Sequence, residues 1–188
     1  MRLTRRALIG ATLTAFLACN VAGVLPPEKA ILILVSIEGF RWDYLDRFAP
    51  PALSKLAAEG VRAEGLIPQF PSKTFPNHYT IVTGLTLAHH GIISNNMRAP
   101  DIPGDFSMSN RELLADLRWW GGEPIWNTAE RQGRRAAAMF WPESETVIGG
   151  RQATFWTPFD DKLPNSERVN RVLEWLRLPE KDRPSYYC

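Results

Sequence analysis

Apolar runs and amphipathic segments alternate along the first third of this chain. Residues 30–37 form an uncharged run with four β-branched side chains. Such a run predicts a strand that is buried on both faces of a parallel sheet. Residues 51–59 place their apolar side chains on one face and precede Gly60, which predicts a helix that ends there. Residues 61–67 then predict a return to the sheet, and so a strand–helix–strand unit.

The later part of the chain continues this alternation. The predicted elements are a helix at 124–132, a buried strand at 134–140, a helix that Asn165 caps and Pro179 ends, and the opening of a strand at 183–188. Residues 98–123 are rich in Pro and Gly and predict irregular structure, with a short helix within 110–120. The whole order of elements predicts an α/β protein with a mostly parallel sheet flanked by helices.

The segment around Thr74 joins two of these elements. Pro76 suits a first helical turn, and Gly84 suits the position just after a last turn. Thr74 therefore lies at or just before a helix N-terminus, where free N–H groups and the positive end of the dipole favour an anion. A hydroxyl there is placed to attack an electrophile. The alternative is that Thr74 only caps the helix, because Thr is a common N-cap.

Two further groups carry candidate chemistry. Glu38 follows the first predicted strand and precedes Gly39. The carboxyl end of a parallel strand is where α/β proteins bind ligands, so Glu38 is either a site residue or an acidic turn residue. His89 and His90 have the appearance of a zinc pair. Adjacent His side chains usually diverge and no third ligand is near in sequence, so loop structure is the main interpretation.

The N-terminus predicts export. Three arginines within the first six residues precede a short apolar run at 7–18, which is typical of a signal peptide at 1–22, of twin-arginine or lipoprotein type. Cys19 is a candidate lipidation site, and an uncleaved anchor is the alternative. Residues 23–29 predict a linker, and residues 30–188 predict the globular part of the chain. We therefore expect an exported protein that is periplasmic or associated with the cell envelope.

Composition narrows the class of partner. From residue 23 onward there are 19 basic and 20 acidic residues, so no basic surplus indicates a nucleic-acid or anionic-membrane surface. The chain has only two cysteines, which excludes a disulfide framework. The hydrophobic content of 45% suffices for a globular core.

Four blocks of this sequence, in this order, resemble the nucleotide pyrophosphatase/phosphodiesterase family of the alkaline phosphatase superfamily. They are SIEGFR at 36–41, FPSKTFPNHY at 70–79, HGIISN at 90–95 and FWPESE at 140–145. The resemblance extends from about residue 30 to residue 188. It implies an alkaline-phosphatase-like fold, of which this chain holds the N-terminal part, and hydrolysis of nucleotide phosphodiester or pyrophosphate bonds.

The resemblance also implies roles for the catalytic residues. Thr74 is the nucleophile and forms a covalent nucleotidyl-threonine. Glu38 and Thr74 are ligands of one of two Zn²⁺ ions. Asn95 donates a hydrogen bond to a phosphate oxygen, a task for which the Phe75 N–H is also suited.

The same resemblance implies a nucleotide pocket. Phe75, Trp141 and Phe159 correspond to its walls, and aromatic rings suit a base because stacking needs only a π-face. The ligand implied is a nucleotide or another small phosphodiester. For Trp141 and Phe159 the alternative is ordinary core packing.

Two departures from the family pattern matter. Glu38 stands where the family carries Asp, and its extra methylene moves the carboxylate. The family's other Asp and His ligands follow the strand that opens at 183–185. We therefore expect a truncated chain that is inactive alone. The alternative is a non-catalytic remnant that binds a nucleotide or a protein partner. A phosphomonoesterase or sulfatase is disfavoured by the 70–79 block and by Asn95.

Overall fold

The computed structural model describes residues 30–188, whose main sheet has four strands, all paired in parallel. The strands lie in the order β1 (Leu32–Ile33), β6 (Tyr186–Tyr187), β4 (Ala136–Met139) and β5 (Phe155–Thr157). The predicted α/β class, a mostly parallel sheet flanked by helices, is confirmed. The predicted signal peptide, the linker and Cys19 lie outside the described residues.

The helices occupy the connections between strands. They are α1 (Tyr44–Phe48), α2 (Pro51–Glu59), α3 (Thr74–Thr83), α4 (Leu87–His90), α5 (Arg111–Leu114), α6 (Ile125–Arg131) and α7 (Asn165–Leu176), with 3₁₀ turns at Leu117–Trp119 and Ile148–Gly150. The predicted helices at 51–59 and 124–132 are thus confirmed within one residue. Between residues 30 and 188 no helix is long and apolar enough to cross a membrane.

Helix α3 is the best-packed helix around the site. Phe75, Tyr79 and Val82 are spaced so that they share one face, and all three are buried. The ring of Tyr79 packs edge-to-face on Trp120. The helix ends at Gly84, whose φ of 69° is in the left-handed region that glycine adopts without strain, as predicted.

The first predicted strand is much shorter and more exposed than its apolar sequence indicates. Leu32 is 56% exposed and Ile33 is 48% exposed. Strand β1 is at the edge of the sheet and pairs with β6 alone. An apolar run predicts burial only where a layer exists to cover it, so the prediction of burial on both faces was wrong for the described residues.

Two other predictions of local structure are also wrong. Residues 61–67 form no strand, so the predicted strand–helix–strand unit is absent among the described residues. Val61 and Ile67 are exposed. Asn165 does not cap α7: it is the first helical residue, and Pro164 holds the cap position.

An antiparallel hairpin forms where the sequence predicted irregular structure. Strand β2 (Asn96–Ala99) pairs with β3 (Ile102–Ser107) across a two-residue turn. Pro103 lies within β3, which is tolerated because an edge strand leaves one side of its backbone unpaired. Phe106 from β3 is fully buried and packs on Trp119 and Trp120, so the hairpin completes the core beside α3.

Candidate active site

Thr74 and Glu38 meet at the N-terminus of α3. Thr74 is the first residue of the helix, and its Oγ1 donates a hydrogen bond of 2.5 Å to Oε1 of Glu38. Lys73 holds the cap position, so the alternative prediction that Thr74 serves as the N-cap is wrong. Its hydroxyl instead engages the Glu38 carboxylate, in the segment that follows β1. The fold thus brings together two residues that are 36 positions apart in sequence.

His78 links the two segments that carry this pair. It lies one helical turn after Thr74, and its Nδ1 is 2.9 Å from the Thr74 carbonyl oxygen. A carbonyl only accepts, so Nδ1 carries the hydrogen, and in the neutral ring Nε2 accepts from the Ser36 hydroxyl at 2.8 Å. This bridge ties the end of β1 to α3 and thereby sets the position of Glu38 beside Thr74.

Asn95 also contacts the start of α3. Its Oδ1 accepts a hydrogen bond of 3.0 Å from the Phe75 backbone N–H. The bond orients the side chain and leaves the Asn95 amide nitrogen as a donor for another group. The two predicted phosphate-binding groups are therefore neighbours, with the N–H of Phe75 engaged by Asn95.

A cavity of about 730 Å³ opens beside Thr74. Glu38, Phe75, Trp141 and Phe159 contribute to its wall, so the structure brings most of the predicted site residues to one space. Its volume is in the range of small-molecule sites. Thr74 also lines a more open groove of about 1330 Å³ on its other side.

The aromatic residues of the cavity differ in exposure. Phe75 and Trp141 are buried, at 8% and 5% exposure, and the indole N–H of Trp141 donates to the His78 carbonyl at 3.3 Å. The Phe75 ring packs edge-to-face on Phe106. Phe159 is 50% exposed and rests edge-to-face on Phe140, with a centroid separation of 5.3 Å. Phe159 is thus the predicted wall residue whose ring is most accessible to a ligand.

Sequence reasoning missed two charged residues of the cavity wall. Arg111 from α5 forms an ion pair of 2.9 Å with Glu145, which follows β4. Both also bond the main chain of Phe159. Glu145 is 34 residues from Arg111 and 14 residues from Phe159 in sequence, so no local pattern indicates these contacts.

Glu143 is an unusual residue of the same loop. It is 5% exposed, has a φ of 75°, and neither carboxyl oxygen has a hydrogen-bond partner. Burial, and then the nearby Glu145, raise the pKa of Glu143 well above its ordinary value. Burial raises the pKa of Tyr79, and Glu143 raises it further. A buried acid in a left-handed conformation destabilises its loop.

The described residues do not complete a zinc site. Zinc sites are tetrahedral, whereas Glu38 and Thr74 supply two oxygen donors. Both ring nitrogens of His78 are already bonded. Within residues 30–188, no three His, Cys, Asp or Glu side chains are grouped so as to hold a metal ion.

The histidine pair at 89 and 90 has structural contacts. His90 is fully buried, with Nε2 at 2.9 Å from the Thr80 hydroxyl and Nδ1 accepting from the Ile92 N–H. Burial lowers the pKa of His90, so its ring is neutral. His89 contacts the Thr86 hydroxyl of its own helical turn. These contacts favour a structural role over a zinc pair, although both histidines lie in α4 and not in the predicted loop.

Known proteins are similar to this chain in sequence. The sequence-family model described as type I phosphodiesterase/nucleotide pyrophosphatase matches residues 32–188. Mouse ectonucleotide pyrophosphatase/phosphodiesterase family member 3 is 42% identical over 165 residues, which cover 87% of this chain and 18% of the relative. A venom phosphodiesterase of Crotalus durissus collilineatus is 43% identical over 162 residues, 85% of this chain and 19% of the relative. The chain therefore spans about a fifth of the length of these relatives.

Solved structures show the same fold. Murine ectonucleotide pyrophosphatase/phosphodiesterase 5, as an inactive threonine-to-alanine variant in complex with AMP, superposes with a TM-score of 0.78 at 32% identity. The match covers 85% of this chain and 42% of that one. The human protein of the same name gives a TM-score of 0.78 at 34% identity, covering 84% of this chain and 41% of its own.

Proposed function

The chain belongs to the type I phosphodiesterase/nucleotide pyrophosphatase family, and we propose that it carries the nucleophile and part of the substrate pocket of a hydrolase that cleaves nucleotide phosphodiester or pyrophosphate bonds. The observation that carries this proposal is the Thr74 hydroxyl. It lies at the N-terminus of α3, on the wall shared by the cavity and the groove, with its hydrogen directed to Glu38.

Thr74 performs the bond-making step. Its Oγ1 attacks phosphorus as its proton passes to the Glu38 carboxylate to which it is bonded. A Thr–O–P bond forms and the bond from phosphorus to the leaving oxygen breaks, which leaves a nucleotidyl-threonine for water to hydrolyse. The N-terminal end of α3 stabilises the negative charge that develops on the phosphoryl oxygens. The solved murine neighbour is inactive as a threonine-to-alanine variant, which supports a threonine-based mechanism.

The remaining site residues position the substrate. The free amide nitrogen of Asn95 is the proposed donor to a non-bridging phosphate oxygen. The cavity between Trp141 and Phe159 receives the nucleoside, since an aromatic wall binds any base through its π-face. That the murine neighbour binds AMP supports a nucleotide as the ligand.

The two Zn²⁺ ions that the family resemblance implies would require ligands in addition to Glu38 and Thr74. Bound zinc would supply Lewis-acid stabilisation of the phosphoryl charge. The names of the mouse and snake relatives describe an ectoenzyme and a venom protein, and they support export of this chain as well.

Two oxygen donors and a formed cavity also favour a second candidate function, which is nucleotide binding without hydrolysis. The two candidates differ in their requirement for metal. AMP is a product and not a substrate of phosphodiester cleavage, so titration of the chain with AMP in a chelator measures binding, and a nitrophenyl nucleotide ester with Zn²⁺ measures turnover. Binding of AMP in chelator, with no turnover of the ester even when residues 30–188 replace the matching segment of the mouse relative, would favour the second candidate.

Catalysis by Thr74 is tested in a chimera in which residues 30–188 replace the matching segment of the mouse relative. We expect Thr74→Ala to lower the rate of hydrolysis of a nitrophenyl nucleotide ester by at least about 10³-fold, since the attacking atom is lost. Thr83→Ala is the matched control on the same helix, because the Thr83 hydroxyl donates to the Tyr79 carbonyl, accepts from the Leu85 N–H and lies outside both spaces. Activity retained in Thr74→Ala would contradict the proposal.

A further inference from the structure

The main chain of Phe159 is bonded on both its polar atoms by one ion pair. Its N–H donates to Oε1 of Glu145 at 2.6 Å, and its carbonyl oxygen accepts from the Arg111 guanidinium. The same guanidinium donates to Oε2 of Glu145 at 2.9 Å. We call Arg111 and Glu145 the Phe159 clamp. It joins α5, the loop after β4 and the loop after β5 at one residue.

This arrangement is unusual for a residue on an irregular loop. The Phe159 ring is half-exposed, so burial of the ring contributes little to its position. A second contact supports the loop, because the Arg168 guanidinium donates to the Asp160 carbonyl at 3.2 Å and lies 4.8 Å from the centre of the Phe140 ring. Four polar or aromatic contacts thus fix a segment whose most prominent side chain faces a cavity.

We propose that the Phe159 clamp holds this ring as a planar wall for the aromatic base of a ligand in the cavity. The inference deepens the proposed nucleotide site and rests on it. Arg111 and Glu145 are positioning residues that act through Phe159. The ligand chemistry they select is a planar heteroaromatic ring attached to a sugar phosphate.

The physical reason is the cost of ordering a loop. A ring on a free loop must lose backbone freedom when a base stacks on it, and each fixed residue costs about 1–2 kcal/mol. The clamp orders the backbone in the free protein, so that less conformational entropy is lost on binding. More of the stacking energy then contributes to the free energy of binding. Charge-assisted contacts suit this task because they are directional as well as strong.

The test measures binding of two probes to the full chain by calorimetry. One is AMP and the other is ribose 5-phosphate, which lacks the base. Phe159→Ala should weaken AMP binding by about 5- to 100-fold, as expected from stacking of one base, and leave ribose 5-phosphate unchanged. Arg111→Met should give the same selective loss at smaller size, and Arg111→Lys, which keeps one charged contact to Glu145, should recover part of it.

A double variant shows whether Arg111 acts through Phe159 or only stabilises the protein in general. The double variant Arg111→Met/Phe159→Ala should bind AMP no more weakly than Phe159→Ala alone, because the clamp acts only through that ring. Arg98→Met is the matched control: it breaks an ion pair with Asp105 on the β2–β3 hairpin, outside the cavity. Glu145→Gln, which keeps an acceptor for the Phe159 N–H, gives a second route if Arg111→Met is poorly folded.

The outcomes are distinct. A selective, non-additive loss of AMP binding supports the clamp. Equal losses for both probes, or additive effects of the Arg111 and Phe159 substitutions, would overturn it while leaving the nucleotide site in place. Failure of the unsubstituted chain to bind either probe would overturn the proposed function itself, and the clamp with it.

Discussion

The two segments that meet at Thr74 are built in opposite ways. Helix α3 buries Phe75 and Tyr79 in the aromatic core, whereas the segment of β1 and the residues after it (32–38) leaves Leu32 and Val35 56% and 72% exposed. Thr74 thus lies on the packed segment and its hydrogen-bond partner, Glu38, on the exposed one. In such a site, Thr74 is positioned by the packing of its helix, whereas Glu38 is positioned by specific hydrogen bonds.

Truncation of Tyr79 tests the packed side and should have the largest effect. Tyr79 is fully buried, so we expect Tyr79→Ala to lower the free energy of unfolding by about 3 kcal/mol or more, through lost burial and the cavity left behind. Urea unfolding measures it. Tyr44→Ala on α1 is the control, because Tyr44 is only half-buried. Equal losses in the two variants would contradict the contrast between the segments.

Removal of the His78 bridge tests how the exposed side is positioned. His78→Leu loses the bonds to Ser36 and to the Thr74 carbonyl, and should cost about 1–2 kcal/mol. Hydrogen exchange at residues 34–40 should accelerate more than exchange within α3. His89→Leu is the control, since His89 contacts only Thr86 in its own turn. Unchanged exchange at 34–40 would show that Glu38 is positioned by other contacts.

Glu143 destabilises the loop that follows β4, so its replacement should stabilise the protein. Glu143→Gly relieves the positive φ, worth about 1 kcal/mol, and removes a buried, unpaired carboxyl. Ala49→Gly, at a φ of 42° in an exposed position, isolates the backbone contribution. The prediction fails if thermal unfolding shows Glu143→Gly to be no more stable than the unsubstituted chain.

The same substitution predicts a change with pH. Since the pKa of Glu143 is raised in the folded state, that state binds the proton more tightly than the unfolded state does. The contribution of Glu143 to stability therefore declines as pH rises above the unfolded pKa of about 4.3, and levels off above the folded pKa. Glu143→Gly should lose this decline, whereas Ala49→Gly should keep it.

Shortening an apolar side chain on β1 should have the smallest effect. Leu32 is more than half-exposed, so Leu32→Ala should change the free energy of unfolding by less than about 0.5 kcal/mol. The measurement is the same urea titration as for Tyr79. A loss comparable with that of Tyr79→Ala would mean that β1 is covered in solution.

The sequence predicted well wherever local chemistry decides the structure. Proline at the start and glycine at the end marked α3, and Ala136–Met139 forms the buried strand expected there. Predictions failed where the outcome depends on distant partners. The apolar run at 30–37 carries no information about which layers cover it, and residues 61–67 form no strand.

The site divides in the same way. Thr74, Glu38 and the aromatic residues were predicted from the order of elements and from the family resemblance, and the structure brings them to one cavity. Arg111, Glu145 and the His78 bridge were not predicted, because ion pairs and hydrogen bonds between separate elements leave no periodic signal in a single sequence.

The central claim is that the Thr74 hydroxyl attacks phosphorus, and covalent trapping tests it most directly. The chimera carrying residues 30–188 is incubated with a nitrophenyl nucleotide ester, quenched in acid within the first turnover, digested, and mapped by mass spectrometry. We predict one added nucleotidyl group on the peptide that contains Thr74, and none in Thr74→Ala. Hydrolysis with the group on another residue, or undiminished hydrolysis in Thr74→Ala, would contradict the claim.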